Sequence, residues 1–325
     1  DVYKRQAYDL LVETHGADHP NPLNAQTNLA NLELGYEHYE EAEALLEDNL
    51  RRKIRVLGES HPDTLLAVLG VLRLHLGKGG LTEAAAMAER FGGLARDRYG
   101  DRDELVLGFE LALVRIEQRR GQVAEAIDRV EAALDLSQDA LGPDARMSLS
   151  LLSELAMLRL GAADLDEAAR VAERSLEARR RVQGPGHPET LREQLRLASV
   201  RHLQRRYEEA HRLNRDALAR LEEAVGPTHP SVIRDAVRMA NMLYSQKRLD
   251  AAEALATHTM AKAREAFDAG DPRLAPPADI LAKVLAARGD VEGAEQLVRK
   301  VLPPIEATEE APFDGTRRLK ATLAW

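Results

Sequence analysis

Leu57-Gly58-Glu59-Ser60-His61-Pro62-Asp63-Thr64-Leu65 sets the architecture, because the chain repeats it. The corner returns as Gly184-Pro185-Gly186-His187-Pro188-Glu189-Thr190-Leu191 and as Gly226-Pro227-Thr228-His229-Pro230-Ser231-Val232-Ile233. An outline of it stands at Gly16-Ala17-Asp18-His19-Pro20, and the glycines at 16, 58, 100, 142, 184 and 226 share one 42-residue register. A fixed period of this size is the sequence signature of a solenoid, in which each unit buries its apolar face against its neighbours. The functional expectation is accordingly a binding surface, not a reaction centre.

Working outward from the corner, seven units open at residues 19, 61, 103, 145, 187, 229 and 271. One column is alanine in all seven: Ala42, Ala84, Ala126, Ala168, Ala210, Ala252 and Ala294. A small side chain at a fixed place lets helix axes approach to about 8–10 Å. Another column reads Leu29, Val71, Leu113, Leu155, Leu197, Met239 and Leu281, followed directly by a small or aliphatic residue. Within the second unit, Leu65, Val68, Val71, Leu72 and Leu74 follow helical spacing, and a second helical face runs through Ala84, Met87, Ala88, Phe91 and Leu94. Each unit is therefore expected to be a helix pair. In the corner itself, the glycine supplies a left-handed helix stop, the proline suits the first helical position, and Asp63 or Glu189 sets negative charge near a helix start. Where His-Pro is lost, Asp103 at the start of one unit and Gly142-Pro143-Asp144 before another are expected to replace that chemistry in part.

Several stretches depart from the pattern. Residues 1–6, Asp-Val-Tyr-Lys-Arg-Gln, read as the in-frame translation of a sequencing-library adapter end and are expected to be an artefact. Residues 7–18 read as the remnant of a truncated repeat, residues 19–312 as seven repeats, and residues 313–325 as the start of an eighth, with Leu323 and Ala324 on core columns. Gly70, Gly77, Gly79, Gly80, Gly92 and Gly93 make the second unit the expected soft joint. Pro303-Pro304 and the acidic stretch to Pro312 suggest a looser connection.

Composition narrows the function further. With 44% hydrophobic and only 4% aromatic residues, aliphatic helix packing is the expected glue. No cysteine is present, so neither disulfides nor a thiolate zinc site can form, which fits a reducing compartment such as the cytoplasm. A net charge of −9 argues against nucleic acid as the main partner. No run of about 18 or more apolar residues suggests a membrane-spanning helix.

Asn28-Leu29-Ala30, Tyr39-Glu40-Glu41-Ala42-Glu43 and the Gly-x-x-His-Pro-x-Thr-Leu corner resemble tetratricopeptide repeats of the long, kinesin-light-chain type. The usual tetratricopeptide period is 34 residues; the eight more found here amount to roughly one extra turn per helix. The resemblance implies an all-α, right-handed superhelical solenoid of antiparallel helix pairs, whose first helices line a concave, peptide-binding groove. In such repeats an asparagine just before Leu-Ala faces the groove, and Asn28 alone matches it; its column continues as Gly70, Ala112, Glu154, Arg196, Arg238 and Ile280. That departure puts kinesin-type cargo recognition in doubt. Similar long repeats are common in bacterial multidomain regulators, so a second expectation is a regulatory arm of a larger signalling enzyme, a Ser/Thr kinase or nucleotide-binding switch protein.

The repeat register places Asn31, Arg73, Arg115, Asn241 and Lys283 on one groove-facing column, with Arg192 and Arg234, then Arg196 and Arg238, on its neighbours. This basic stripe in an acidic protein suits an acidic peptide segment, since guanidinium pairs well with carboxylate. The competing reading is that these cations are solvated or paired with the chain's own glutamates. Equivalent histidines would lie roughly 20 Å apart, two helices per unit, so His19, His61, His187 and His229 cannot share a zinc ion. No catalytic motif such as HExxH, GxSxG or a phosphate-binding glycine loop occurs, and no enzyme activity or cofactor is expected.

Overall fold

A computed structural model describes residues 2–36, 38–308 and 314–322. Among them are sixteen α-helices and one 3-10 turn, and no strand. Leu323 and Ala324 lie outside the described residues. The chain divides into two compact units, split between Val182 and Gln183.

Unit one begins with α1 (Val2–His15) and continues as four helix pairs: α2 (Pro20–Gly35) with α3 (Tyr39–Leu57), α4 (Pro62–Lys78) with α5 (Leu81–Tyr99), α6 (Glu104–Arg119) with α7 (Val123–Leu141), and α8 (Arg146–Gly161) with α9 (Leu165–Gln183). Unit two holds α10 (Pro188–Leu203) with α11 (Tyr207–Val225), α12 (Pro230–Ser245) with α13 (Leu249–Ala266), then the 3-10 turn Pro272–Leu274, α14 (Ala275–Ala287) with α15 (Val291–Thr308), and α16 (Asp314–Thr322). The fold is an all-α solenoid of helix pairs. In unit one the first helices of successive pairs also pack on each other, α2 on α4, α4 on α6 and α6 on α8. In unit two α12 packs on α14 in the same way. Within each unit these first helices thus form a layer of their own.

Every member of the alanine column is buried, from 0% exposure at Ala42 to 6% at Ala294. Buried polar groups tie helices together where the column beside them is not apolar. Lys53 is 1% exposed and donates to Asn24 Oδ1 at 3.0 Å, Thr27 Oγ1 at 3.2 Å and the Asp63 carbonyl at 3.2 Å. Burial pushes its pKa down from the ordinary lysine value, and the Asp63 carboxylate partly opposes that shift. Three periods on, Arg179 plays the same part, donating to the Leu149 carbonyl at 3.0 Å and Ser153 Oγ at 3.1 Å.

The corner chemistry differs from expectation in two ways. Gly58, Gly100, Gly142 and Gly226 do have positive φ, but ψ lies between 149° and 163°, far from a left-handed helical turn. The left-handed residues instead end the first helix of a pair: Gly79 has φ 83° and ψ 10°, and Ala163, Arg205 and Lys247 have φ near 60°. Second, the corner histidine is the helix N-cap. Nδ1 of His19, His61, His187 and His229 accepts from the backbone N–H two residues on, each at 3.2 Å. Asp103 and Asp271 do the same with their carboxylates, at 2.9 and 2.8 Å. This satisfies one of the four free donors that every helix start exposes.

Ala145 breaks the series, having the same extended backbone (φ −63°, ψ 146°) but no side-chain cap. Asp144 does not replace it, because its carboxylate is engaged by Arg181. Ala145→Asp should therefore raise stability by about 1 kcal/mol, the usual worth of an N-cap. Urea unfolding with an unchanged or lower midpoint would refute the assignment of the cap.

Three glycines of the second pair stand at close helix contacts. A Cβ at Gly77 would stand 2.5 Å from the Tyr39 ring, one at Gly70 would stand 3.0 Å from Leu46 Cδ2, and one at Gly92 would stand 3.2 Å from Phe109 Cβ. These positions are glycine because neighbouring helices come close there. Pro303 and Pro304 fall inside α15, not in a looser connector.

Candidate functional site

On the first-helix layer of unit one, α4, α6 and α8 enclose a recess of about 330 Å³. Leu69, Leu72 and Leu76 of α4, Leu111 of α6 and Met147 of α8 give it apolar walls. Gly108 on α6 keeps it open: a Cβ there would come within 3.0 Å of Leu69 Cδ1. Arg73, Arg115 and Arg146 line it with positive charge, and Glu104, Ala112 and Ser150 complete the lining.

These three cations are not equivalent. Arg115 Nε donates to Glu154 at 2.9 Å, and Arg146 stands 3.7 Å from Glu104. Arg73 donates only to the neutral Asn31 Oδ1, at 3.2 Å, and has no carboxylate partner among the described residues. Its side chain is accessible to solvent, yet desolvation, followed by the nearby charge of Arg115, holds its pKa below the ordinary arginine value. Accessibility together with desolvation is what a guanidinium in a recess experiences. It remains a cation at neutral pH. Asn28 is exposed on the same helix as Asn31.

In unit two the basic residues gather around the protein's own acids. Arg192 pairs with Glu189 and reaches Ser231 Oγ at 3.4 Å, Arg196 pairs with Glu193 at 2.8 Å, and Arg238 stands 3.3 Å from Asp235. Asp235 is buried, and burial raises its pKa, while Arg238, Arg234, Arg192 and Arg196 all pull it back down. The four arginines thus share one electrostatic neighbourhood with a buried carboxylate inside it. Lys283 is held by Asp279 at 2.6 Å, and Asn241 donates to the Val237 carbonyl at 2.9 Å. For these groups the competing reading, internal pairing, describes much of what is seen.

Sequence reasoning overlooked the apolar walls of the recess, Gly108 and Arg146. Gly108 carried a readable signal, since its column otherwise holds Asn24, Leu66, Ser150, Arg192, Arg234 and Pro276, all with side chains. Among the described residues no group of three or more His, Asp or Glu is placed to hold a metal ion. No helix among them is long and apolar enough to cross a membrane.

Helix pairs stacked with a 42-residue period and a recessed first-helix face define the class of helical-repeat proteins. Family models described as tetratricopeptide repeat match residues 23–63, 109–181, 147–223 and 237–273. The chain belongs to the tetratricopeptide-repeat family. A search of curated proteins gave no match. Among solved structures, the chain is similar to NprR in complex with its cognate peptide NprX, at 13% identity and TM-score 0.55, over 94% of this chain and 83% of that one. It is also similar to a signal transduction ATPase with a tetratricopeptide repeat sensor from Pyrococcus horikoshii, at 14% identity and TM-score 0.58, over 91% of this chain and 43% of the other. A putative kinesin light chain from Podosopora anserina with nearly identical TPR-like repeats matches at 23% identity and TM-score 0.48, over 63% of this chain and 97% of that one. At these identities the likeness is one of fold.

Proposed function

We propose that this protein is a non-catalytic interaction scaffold that holds an acidic peptide segment on its first-helix face, with Arg73 as the anchoring cation. The observation that carries this reading is the position of Arg73, recessed among apolar side chains and paired with no carboxylate among the described residues. An anion bound there gains a charge-assisted hydrogen bond without first displacing an internal carboxylate. The arginines of unit two are weaker candidates, because an incoming carboxylate must compete with Glu189, Glu193 and Asp235. Asn31 assists by orienting the Arg73 head, and Asn28 offers a further polar contact on the same helix. The likeness of fold to NprR, solved in complex with its cognate peptide, agrees with a peptide as ligand. The likeness to an ATPase with a repeat sensor keeps a second role in view, as the sensor arm of a larger signalling protein, and the full reading frame decides it.

Fluorescence anisotropy with a labelled peptide of alternating leucine and glutamate tests the first reading, with a lysine-for-glutamate peptide as control. Arg73→Glu should weaken binding by about tenfold or more, equivalent to about 1.4 kcal/mol. Arg196→Glu combined with Arg238→Glu should weaken it less. Equal affinity for wild type and Arg73→Glu would remove Arg73 from the site.

A further inference from the structure

Three guanidinium groups line the recess on the first-helix face of unit one, and a carboxylate has only two oxygens to offer them. Within the lining Arg73, Arg115 and Arg146 face a single acid, Glu104. Few of their donors are used inside the protein. Arg73 gives Nη1 to Asn31 at 3.2 Å, and Arg115 gives Nε to Glu154, which lies outside the lining, at 2.9 Å. Arg146 stands 3.7 Å from Glu104, beyond hydrogen-bond reach. Among the described residues the Nη groups of Arg115 and the whole head of Arg146 make no hydrogen bond. Desolvation, and after it the charge of Arg115, lowers the Arg73 pKa, so these two heads are close enough to repel each other.

Comparing the repeats with one another shows that the third arginine is an exception. Its column holds Pro20, Pro62, Glu104, Pro188, Pro230 and Pro272 in the other units. Arg146 is the first residue of α8, whose start has no side-chain cap. Proline is preorganised for that position and glutamate suits the positive helix end, whereas a cation opposes the macrodipole. The Arg146 side chain is 85% exposed and its acidic neighbour is distant, so neither packing nor a close ion pair accounts for it. The arginines of the Arg73 column are confined to the same place, since that column elsewhere reads Asn31, Met157, Ser199, Asn241 and Lys283. Departures in two columns thus meet at one recess.

We infer that this recess receives a phosphorylated side chain, a phosphoserine or phosphothreonine of a partner segment, held by Arg73, Arg115 and Arg146. A phosphate monoester carries a charge of about −1.5 to −2 at neutral pH and three acceptor oxygens. Guanidinium groups pair with such oxygens two at a time. Leu69, Leu72, Leu76, Leu111 and Met147 leave apolar wall for the residue beside the phosphate, which favours a peptide segment over a free anion. The inference rests on the peptide-binding reading above, and adds that phosphorylation of the partner sets its affinity.

The test uses the full chain and one labelled peptide of alternating leucine and serine, whose central residue is serine, glutamate or phosphoserine. Fluorescence anisotropy should show the phosphoserine form binding about tenfold or more tighter than the glutamate form, with the serine form weakest. Arg146→Ala should cut that preference to about threefold or less without lowering the melting temperature, since it takes a cation from a helix start. Equal affinity of the phosphoserine and glutamate forms overturns this inference and leaves the acidic-peptide reading standing. Failure of the phosphoserine form to bind overturns it too, and the leucine–glutamate peptide then shows whether the broader reading falls with it. A phosphoserine preference that survives both Arg73→Glu and Arg146→Ala would put the phosphate elsewhere. Displacement of the phosphoserine peptide by an equal concentration of inorganic phosphate would make the free anion the ligand and overturn the assignment of a peptide.

Discussion

Gly226→Ala is expected to destabilise unit two by about 1–3 kcal/mol, the cost of holding a side-chain-bearing residue where only glycine is at ease. Gly226 links α11 to α12 with φ 92° and ψ 149°. An added Cβ would meet nothing within 4 Å, so no clash contributes and the whole effect is backbone strain. The link cannot relax easily, because it is pinned on both sides. The Gly226 N–H donates to the Glu222 carbonyl at 2.9 Å, and its carbonyl accepts from the His229 N–H at 3.3 Å. Gly186, in the preceding corner, is the control: it has no positive φ and equally open surroundings, so Gly186→Ala should be near neutral. Urea unfolding in which both alanine variants behave alike would show that the corner tolerates ordinary residues and that the repeated glycine answers to something other than conformation.

The same corner shows what sequence reading reaches. A 42-residue spacing of glycines and a seven-fold alanine column are enough to place helix pairs, because each depends only on local backbone chemistry repeated in register. The capping role of histidine was harder to read. Histidine is not among the usual N-cap residues, and only the geometry shows Nδ1 of His61 accepting from Asp63 N–H in the place where Asp103 uses a carboxylate. Glycine in the second pair has a similar lesson: sequence gives its flexibility but not its neighbours, and Gly77 near the end of α4 faces the ring of Tyr39 at the start of the preceding helix, α3.

The candidate sites divide along the same line. A register places Arg73, Arg115, Arg196 and Arg238 on one side of their helices, but it cannot tell which have counter-ions. That depends on Glu193 and Asp235, which occupy the column of Phe109 and Leu151 and look from sequence like misplaced core residues. They are buried acids that hold Arg196 and Arg238. What sequence does offer, and what is easily passed over, is departure from a column. Gly108 opens the Arg73 recess, and Arg146 lines it from a position that is proline or glutamate in the other units. In a repeat protein the consensus positions build the stack, and the exceptions are where the surface becomes particular.

Ala210→Phe carries the other large effect, because it strikes the consensus itself. Ala210 lies in the first turn and a half of α11, is 1% exposed, and its N–H donates to the Arg206 carbonyl at 3.0 Å. Its six equivalents are all alanine and all buried, so the limit on size comes from the helix packing and not from one neighbour's shape. Phenylalanine adds a ring where there is room for a methyl group; the backbone or nearby rotamers must shift, at a cost of about 1–3 kcal/mol. Part of any loss could come from the lower helix propensity of phenylalanine, which is worth about 0.5 kcal/mol. Ala219→Phe, on the exposed side of the same helix, isolates that share. A melting temperature that falls for Ala210→Phe and holds for Ala219→Phe assigns the alanine column to close helix approach. Equal behaviour of the two would mean that the column is tolerant, and that the stack is held by the leucine positions alone.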